Sequence, residues 1–221
     1  TSENAAYLAR HIGLKAGVPE QIPALTLNRL CGSGAQAVVT AVQQILLNEA
    51  EIILAGGAEN MSMAPFANFS LRFRPPKMGD VKYVDMLTAT LTDQYIGSGM
   101  GMTAEKLAEQ YGISREEQDA FALASHRRAH KAQETGIFTE EITPVEIKTK
   151  RGTQTIARDE QIRADTSLDK LAQLRPAFIN DGTVTAGNAS GINDGAVSLI
   201  VASEKAVEKN TSDMYFIAAM L

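Results

Sequence analysis

The sequence has no tryptophan and only one cysteine, Cys31, among its 221 residues. A single cysteine excludes an internal disulfide, so no covalent cross-link within the chain stabilises the fold. This sparing use of cysteine is typical of proteins from a reducing compartment. It leaves one free thiol, and that thiol is the first candidate for chemistry.

Positive charge is also scarce. Lys and Arg number 21 against 26 Asp and Glu, which gives a formal net charge of −5. Because nucleic-acid binding needs a positive surface, this balance argues against a nucleic-acid partner. No uninterrupted apolar run approaches the ~18 residues needed to cross a bilayer, which argues against a membrane partner. The composition predicts a globular protein with a core.

The apolar pattern near the start of the chain predicts a strand, a helix and a second strand. Residues 22–30 and 50–60 have the composition of strands, and residues 35–47 are apolar most of the way round, as in a buried helix. A strand–helix–strand unit implies a parallel sheet. With a further predicted strand at 196–203, the fold class is α/β, with a mostly parallel sheet and a buried helix.

A long polar insertion separates these apolar elements. It contains two predicted helices, the second opening with Ser114 and Glu117 in capping-box spacing, and a predicted β-hairpin that turns at Arg151–Gly152. We therefore predict an α/β core of residues 1–60 and 188–210, and an inserted α+β lid subdomain of residues 61–187. Residues 211–221 form an unassigned tail.

Cys31 lies between a predicted strand and the predicted buried helix, in the sequence "LNRLCGSGAQAV". The N–H groups and dipole at a helix N-terminus stabilise a thiolate, and they can stabilise an oxyanion formed next to it. Gly32 and Gly34 would permit a tight turn and leave space for a substrate. The alternative is an inert packing residue, since lone cysteines are often buried.

Four stretches of the sequence, taken together, resemble the thiolases. They are "NRLCGSGAQAV", "AEIILAGGAENMSMAPF", "MGMTAEKLAEQYGISREEQDAFALAS" and "KLAQLRPAFINDGTVTAGNASGINDGA". They occur in the family's order, and the resemblance extends to about residue 210. Thiolases make or break the carbon–carbon bond of 3-ketoacyl-CoA thioesters. The resemblance therefore implies an acyltransferase of fatty acid metabolism, with a thiolase-like N-terminal core and a loop subdomain that binds CoA.

The resemblance also implies roles for individual residues. Cys31 stands at the acyl-accepting nucleophile, and Met100 stands at a methionine of the acyl pocket. Some members have a histidine just before that methionine, but this chain has Gly99, so no role passes to it. The remaining implied CoA contacts, along the pantetheine arm and near the nucleotide, are Arg163, Phe178, Ala186 and Ser190. A guanidinium suits the nucleotide end, because it can stack on adenine and pair with phosphate.

Some of the expected thiolase motifs are absent from this sequence. It has no Gly-His-Pro motif and no second cysteine, and none of its histidines, His11, His126 and His130, precedes a proline. The resemblance thus covers an incomplete core and lacks the C-terminal catalytic half. One hypothesis is a thiolase, present here as a fragment. The alternatives are a non-catalytic CoA-binding fragment, a degenerate homologue, or a decarboxylating ketoacyl synthase, which "GNASGINDGA" disfavours.

Two further patterns are weaker candidates for binding sites. His126 and His130 share a helix face with Glu134, but two arginines flank the pair, so no metal site is predicted. The basic stretch 72–77, "RFRPPK", is either a solvated loop or a contact for CoA phosphates or another subunit. The resemblance implies no cofactor, with CoA and its thioesters as substrates. It also implies a homodimer or homotetramer in the cytoplasm, or in the mitochondrial matrix of a eukaryote.

Overall fold

The computed structural model describes residues 5–209 of the chain. A short 3-10 turn, Ala5–Tyr7, precedes the first α-helix. The helices are α1 (Leu8–Lys15), α2 (Ser33–Leu46), α3 (Met86–Thr90), α4 (Met100–Tyr111), α5 (Arg115–Glu134), α6 (Leu168–Ala172) and α7 (Glu204–Lys209). The strands are β1 (Ile52–Asn60), β2 (Phe66–Ala67), β3 (Val84–Asp85), β4 (Thr92–Asp93), β5 (Ser98–Gly99), β6 (Val145–Thr149), β7 (Gly152–Ile156) and β8 (Asp194–Ala202). The mixed α/β class predicted from the sequence is confirmed.

The chain divides into two compact units, which are described separately. Unit 1 comprises residues 1–87 and 192–221, and unit 2 comprises residues 88–191. The organisation predicted from the sequence, with an insertion at 61–187 in a core of 1–60 and 188–210, stays a prediction. The predicted tail, 211–221, lies outside the described residues.

Unit 1 is built on the pair β1–β8, with α2 packed against it. The pair is antiparallel and runs in continuous register from Ile52 opposite Ala202 to Asn60 opposite Asp194. The parallel pairing predicted around α2 does not form in the described residues, because 22–30 adopts no strand there. Alternation of apolar residues locates a strand, but it carries no information about the direction of the partner.

The helix predicted at 35–47 is present as α2, but the prediction that it is buried is wrong for the described chain. Only Ala41 of α2 is buried, whereas Val39, Val42 and Leu46 are exposed. The helix packs mainly on β1 and β8. The outer faces of β1 and β8 are likewise exposed at Leu54 and Ile200.

Unit 2 contains the small pair β4–β5, the helices α4, α5 and α6, and the hairpin β6–β7. The capping box predicted for α5 is confirmed: Ser114 Oγ accepts from the Glu117 N–H, and the Glu117 carboxylate accepts from the Ser114 N–H. The predicted hairpin forms, but its turn lies one residue earlier than predicted. The register pairs Thr149 with Gly152, so Lys150 and Arg151, rather than Arg151 and Gly152, make the turn. Among the described residues, no helix is both long and apolar enough to cross a membrane.

Candidate functional site in two separate units

Cys31 is exposed and lies directly before α2, whose N-cap is Gly32. The residue before it, Leu30, has a φ of 50°, in the left-handed region that a leucine seldom adopts. The Gly32 N–H donates to the Arg29 carbonyl and the Ser33 N–H donates to the Leu30 carbonyl, each at 3.0 Å. The thiol therefore projects from a tight turn, as the sequence predicted.

Side chains hold this turn in place from both sides. Ser33 Oγ donates to the Leu30 carbonyl at 2.7 Å and accepts from the Arg29 N–H at 2.9 Å. Asn28 Oδ1 accepts from the Leu30 N–H at 2.8 Å, and the Arg29 guanidinium reaches Gln36 Oε1 on α2 at 2.7 Å. With so many bonds across a few residues, the backbone around Cys31 has one well-defined conformation.

The same bonds revise the expectation for an oxyanion at the sulfur. The N–H groups of Gly32 and Ser33 both donate to carbonyls of the turn, so they are not available to a substrate oxygen. Gly34 has open space where a Cβ would lie, with no atom within 4 Å, and the substrate space predicted beside the thiol stays a prediction. At Gly32 an added Cβ would lie 3.3 Å from the Arg29 carbonyl oxygen, so the turn itself requires a small residue there.

The five predicted substrate residues, Met100, Arg163, Phe178, Ala186 and Ser190, all belong to unit 2, whereas Cys31 belongs to unit 1. All five are exposed, including Met100 and Phe178, which are about half exposed (48% each). Their roles stay predictions, and their structural surroundings differ.

Phe178 lies next to the start of α4. Its ring packs so closely on Gly101 that a Cβ added there would overlap the ring atoms. Since Gly101 follows Met100 directly, two of the predicted substrate residues lie close together in space. This arrangement requires glycine at position 101, because any side chain there would overlap the Phe178 ring.

Arg163 is anchored to α5 through its backbone. Its N–H donates to Nδ1 of His126 at 3.1 Å, so His126 serves here as a hydrogen-bond acceptor. The same helix lines an open hollow of about 430 Å³ with Arg127 and Arg128, closed on another side by Leu168 of α6. Exposed guanidinium groups suit an anionic ligand, but the sequence assigned the nucleotide role to Arg163 alone, and that role stays a prediction.

Ala186 and Ser190 lie on a loop whose start is buried. Val184 is 5% exposed and Thr185 is 0% exposed, whereas Ala186 and Ser190 face solvent. Glu105 on α4, itself 7% exposed, accepts hydrogen bonds from the N–H groups of Thr183 and Val184. The loop therefore has a fixed base and an accessible tip.

Sequence reasoning missed three polar residues of unit 2: Asn188 and the buried carboxylates Glu105 and Asp119. Asn188 donates to Asp119 Oδ1 at 2.9 Å. One signal could have found Glu105: it occupies the same helix face as Gly101 and Ala108, where a carboxylate is out of place unless it is paired.

The pKa of the Glu105 carboxyl reflects two opposing effects. Burial raises it, but the N–H groups of Thr183 and Val184 and the Thr183 hydroxyl together lower the pKa below its ordinary value of 4.5. In unit 1, hydrogen bonds from the Ser62 hydroxyl and N–H lower the pKa of the Asp194 carboxyl, which joins the start of β8 to residues 60–63. Among the described residues, no group of three or more His, Cys, Asp or Glu side chains could hold a metal ion.

Comparison with known proteins identifies a matching family and several similar relatives. Residues 1–205 match the family described as "Thiolase, N-terminal domain". The human mitochondrial 3-ketoacyl-CoA thiolase is 50% identical over 210 residues, covering 95% of this chain and 53% of the relative. A probable acetyl-CoA acyltransferase from Staphylococcus aureus (strain COL) is 51% identical over 205 residues, covering 91% of this chain and 52% of the relative.

Solved structures agree with these relatives. The crystal structure of the human mitochondrial 3-ketoacyl-CoA thiolase superposes with a TM-score of 0.91 at 50% identity, covering 95% of this chain and 53% of that chain. The complex of that enzyme with CoA gives a TM-score of 0.88 at 49% identity, with 95% and 52% coverage. The chain thus spans about half the length of the relatives it matches. The resemblance found in the sequence is confirmed: the chain belongs to the thiolase family, of which it carries the N-terminal domain.

Proposed function

We propose that this chain supplies the acyl-accepting half of a thiolase that forms or cleaves 3-ketoacyl-CoA esters such as acetoacetyl-CoA. One observation carries the proposal: the only cysteine of a thiolase-family chain is exposed in a hydrogen-bonded turn at the start of a helix. A fixed, accessible sulfur is what a covalent mechanism requires of its nucleophile.

The reaction has two half-steps. In cleavage, the Cys31 thiolate attacks the 3-keto carbonyl, the bond between carbons 2 and 3 breaks, and its electron pair leaves on acetyl-CoA, which takes up a proton. The acyl group remains on the sulfur as a thioester. The thiolate of a second CoA then attacks this thioester, which releases the shortened acyl-CoA and restores Cys31. Synthesis runs the same steps in reverse, with the acetyl-CoA carbanion attacking acetyl-Cys31.

The proposed CoA contacts lie in unit 2. Met100 would line the acyl group, and Ser190 would contact the pantetheine arm. Phe178 and Ala186 would lie along the path of the pantetheine and the adenine, and Arg163 would lie near the nucleotide. Their common exposure supports these roles, since buried side chains could not meet a ligand. The CoA complex of the human relative supports CoA as the ligand, and no other cofactor is part of the proposal. We also propose that residues 61–187 act together as the CoA-binding insertion.

A second candidate function is CoA binding without turnover. The relatives are about twice as long, and this sequence has no histidine followed by a proline. A base for Cys31 and an acid for the leaving carbanion are needed for turnover. If other parts of a longer protein supply them, this chain by itself binds CoA esters but does not turn them over.

The proposed setting follows the same relatives. Mitochondrial 3-ketoacyl-CoA thiolases support the mitochondrial matrix in a eukaryote, and the cytoplasm is the proposed compartment otherwise. A homodimer or homotetramer is the proposed assembly. The exposed apolar faces of α2, β1 and β8 support cover by further protein, because contiguous apolar surface usually marks an interface.

Trapping the acyl intermediate tests the proposal. The protein is mixed with acetoacetyl-CoA, quenched in acid, digested and examined by mass spectrometry. We expect an acetyl group on the peptide that contains Cys31 and none in Cys31→Ser, which replaces the sulfur at nearly constant size. If calorimetry shows that acetoacetyl-CoA binds but no acyl group is transferred, the non-catalytic alternative is identified. Acetylation of another residue would exclude the assigned nucleophile.

A further inference from the structure

A buried carboxylate holds one end of the loop that carries Ala186 and Ser190. The Glu105 carboxylate accepts from the Thr183 N–H at 2.9 and 3.0 Å, from the Val184 N–H at 2.9 Å and from the Thr183 hydroxyl at 2.9 Å. These partners lie 78 and 79 residues away along the chain. A single side chain of α4 therefore fixes three donor groups of a distant loop.

Asn188 holds the other end of the same loop. Its Oδ1 accepts from the Thr185 N–H at 2.7 Å, and its Nδ2 donates to the Thr183 carbonyl at 3.0 Å and to Asp119 Oδ1 at 2.9 Å. Asp119, on α5, is 4% exposed and is paired through its other oxygen with Arg115 at 2.8 Å. Residues 183–185 and Asn188 are thus fixed to α4 through Glu105 and to α5 through Asp119, and we call these four residues the loop base.

Next to the loop base, the loop is closely packed at Gly187. Gly187 lies against Leu171 and Leu174, and a Cβ added at Gly187 would crowd both side chains. Arg115 donates to the carbonyls of Leu171 and Leu174, so the segment under the glycine is tied to α5 as well. Every described polar contact therefore favours one arrangement of this loop.

The energetics explain why this arrangement is rigid. A buried carboxylate is costly unless its oxygens are hydrogen-bonded, and here both buried carboxylates have partners. A shift of the loop base would leave Glu105 without its three donors and Asp119 with Arg115 alone, which would cost more than the shift of an exposed loop. The exposed tip at Ala186 and Ser190 consequently starts from a fixed base.

We propose that Glu105 and Asn188 are positioning residues, which hold the loop base so that Ala186 and Ser190 are preset to receive the pantetheine arm of CoA. The inference rests on the proposed function, since it needs a CoA ligand at that loop. A loop that already has its bound conformation loses little conformational entropy when the ligand binds, so the ligand binds more tightly than it would to a mobile loop. The nucleotide end of CoA, assigned to Arg163, does not depend on these bonds.

The test compares two ligands by isothermal titration calorimetry: CoA, and adenosine 3′,5′-bisphosphate, which lacks the pantetheine arm. In Glu105→Gln the amide nitrogen would face a donor of the loop, so we expect the Kd for CoA to rise by about tenfold. The Kd for adenosine 3′,5′-bisphosphate should stay within about twofold of the wild type. A milder variant, Thr183→Val, keeps the side-chain shape and removes only the hydroxyl, and it should weaken CoA binding by about threefold.

Leu123→Ala is the control for a general loss of stability. Leu123 is 5% exposed on α5, and its truncation destabilises the unit while every hydrogen bond of the loop base remains. All variants are titrated well below their unfolding temperatures, so a purely structural effect would be the same for Leu123→Ala and Glu105→Gln. Leu123 lines the hollow beside Arg127 and Arg128, so the readout for this control is the ratio of the two Kd values, which we expect to match that of the wild type.

The outcomes distinguish a failure of the positioning role from a failure of the proposed function. Failure of the wild type to bind either ligand would refute the proposed function, and the inference with it. Tight CoA binding by the wild type, Glu105→Gln and Thr183→Val alike would overturn only the positioning role. Equal weakening of both ligands, or a change in the ratio of the two Kd values that Leu123→Ala matches, would mean that Glu105 stabilises the unit without presetting the loop.

Discussion

Gly56 on β1 lies directly against the backbone of Val197 on β8, so closely that a Cβ at position 56 would overlap the Val197 carbonyl oxygen. The neighbouring Gly57 differs, because a Cβ there would lie 3.6 Å from the Cα of Gly34, which is ordinary van der Waals contact. Two adjacent glycines of one strand thus have unequal tolerance for a methyl group. Gly56 is the residue that allows β1 and β8, the main strands of unit 1, to approach this closely.

Gly56→Ala should therefore destabilise the protein by about 2 kcal/mol, in the range measured for overpacked sites. Gly57→Ala should be neutral or slightly stabilising, since alanine restricts the unfolded chain more than glycine does. The measurement is the urea midpoint of unfolding followed by circular dichroism. Equal midpoints for the two variants would show that β1 and β8 are not as closely paired as described.

Gly101→Ala should displace the Phe178 ring. Because the ring is about half exposed (48%), it can swing outward, and the stability should change by less than about 1 kcal/mol. The displaced ring would no longer lie beside Met100, so CoA binding should weaken severalfold. Phe178→Leu serves as the matched control: if the ring contributes to binding, both variants lose affinity together. An unchanged Kd in both would remove Phe178 from the proposed ligand path.

The lowered pKa of the Glu105 carboxyl leads us to expect a specific dependence of stability on pH. Its pKa in the folded protein is below the ordinary 4.5, so below pH 4.5 the unfolded chain binds a proton that the folded chain resists binding. The stabilisation from its hydrogen bonds is fully present above pH 4.5 and is lost as the pH falls through the folded pKa. The difference in unfolding free energy between wild type and Glu105→Gln should therefore be constant near neutral pH and shrink in acid.

Denaturant titrations at several pH values measure this difference. Glu109→Gln on the same helix is the control, because Glu109 is exposed and pairs only with Lys106 in the described residues. Its difference from the wild type should stay small throughout. A Glu105→Gln difference that grew on acidification would contradict the sign argued here.

The left-handed backbone conformation of Leu30 indicates how the turn at Cys31 should respond to substitution. A non-glycine residue in the left-handed region costs about 1–2 kcal/mol, while asparagine adopts that region more readily. Since the Leu30 side chain is 72% exposed, its removal loses little packing. Leu30→Asn should preserve stability and the reactivity of Cys31, whereas the β-branched Leu30→Ile should lower stability by about 1 kcal/mol and change the alkylation rate. Identical behaviour of the two variants would exclude strain at this position.

Much of the local structure could be predicted from the sequence, because it depends on neighbouring residues. The capping box of Ser114 and Glu117, the extent of α2, and the strands at 50–60 and 196–203 are local patterns, and all are present. The direction of strand pairing was not predictable in this way. β8 joins β1 from about 140 residues further along the chain, and no local pattern specifies that partner.

The same distinction between local patterns and contacts across the chain applies to the candidate site. Cys31 could be found because it is the only cysteine and precedes a helix, both of which are visible in the sequence. The fixation of the loop base by Glu105 and Asn188 could not, because the carboxylate and its donors are far apart in the chain. Buried polar contacts of this kind become evident only once α4 and the loop are seen to pack together.

The central claim is that Cys31 is the accessible nucleophile of a CoA-ester site, and the most direct test is its alkylation. The rate of modification by iodoacetamide at neutral pH is followed by peptide mass spectrometry, with and without saturating acetyl-CoA and with adenosine 3′,5′-bisphosphate as the comparison ligand. The account predicts rapid labelling of Cys31 that acetyl-CoA slows strongly and the bisphosphate slows little. Labelling that is absent, or that proceeds at the same rate whether or not acetyl-CoA is bound, would contradict it.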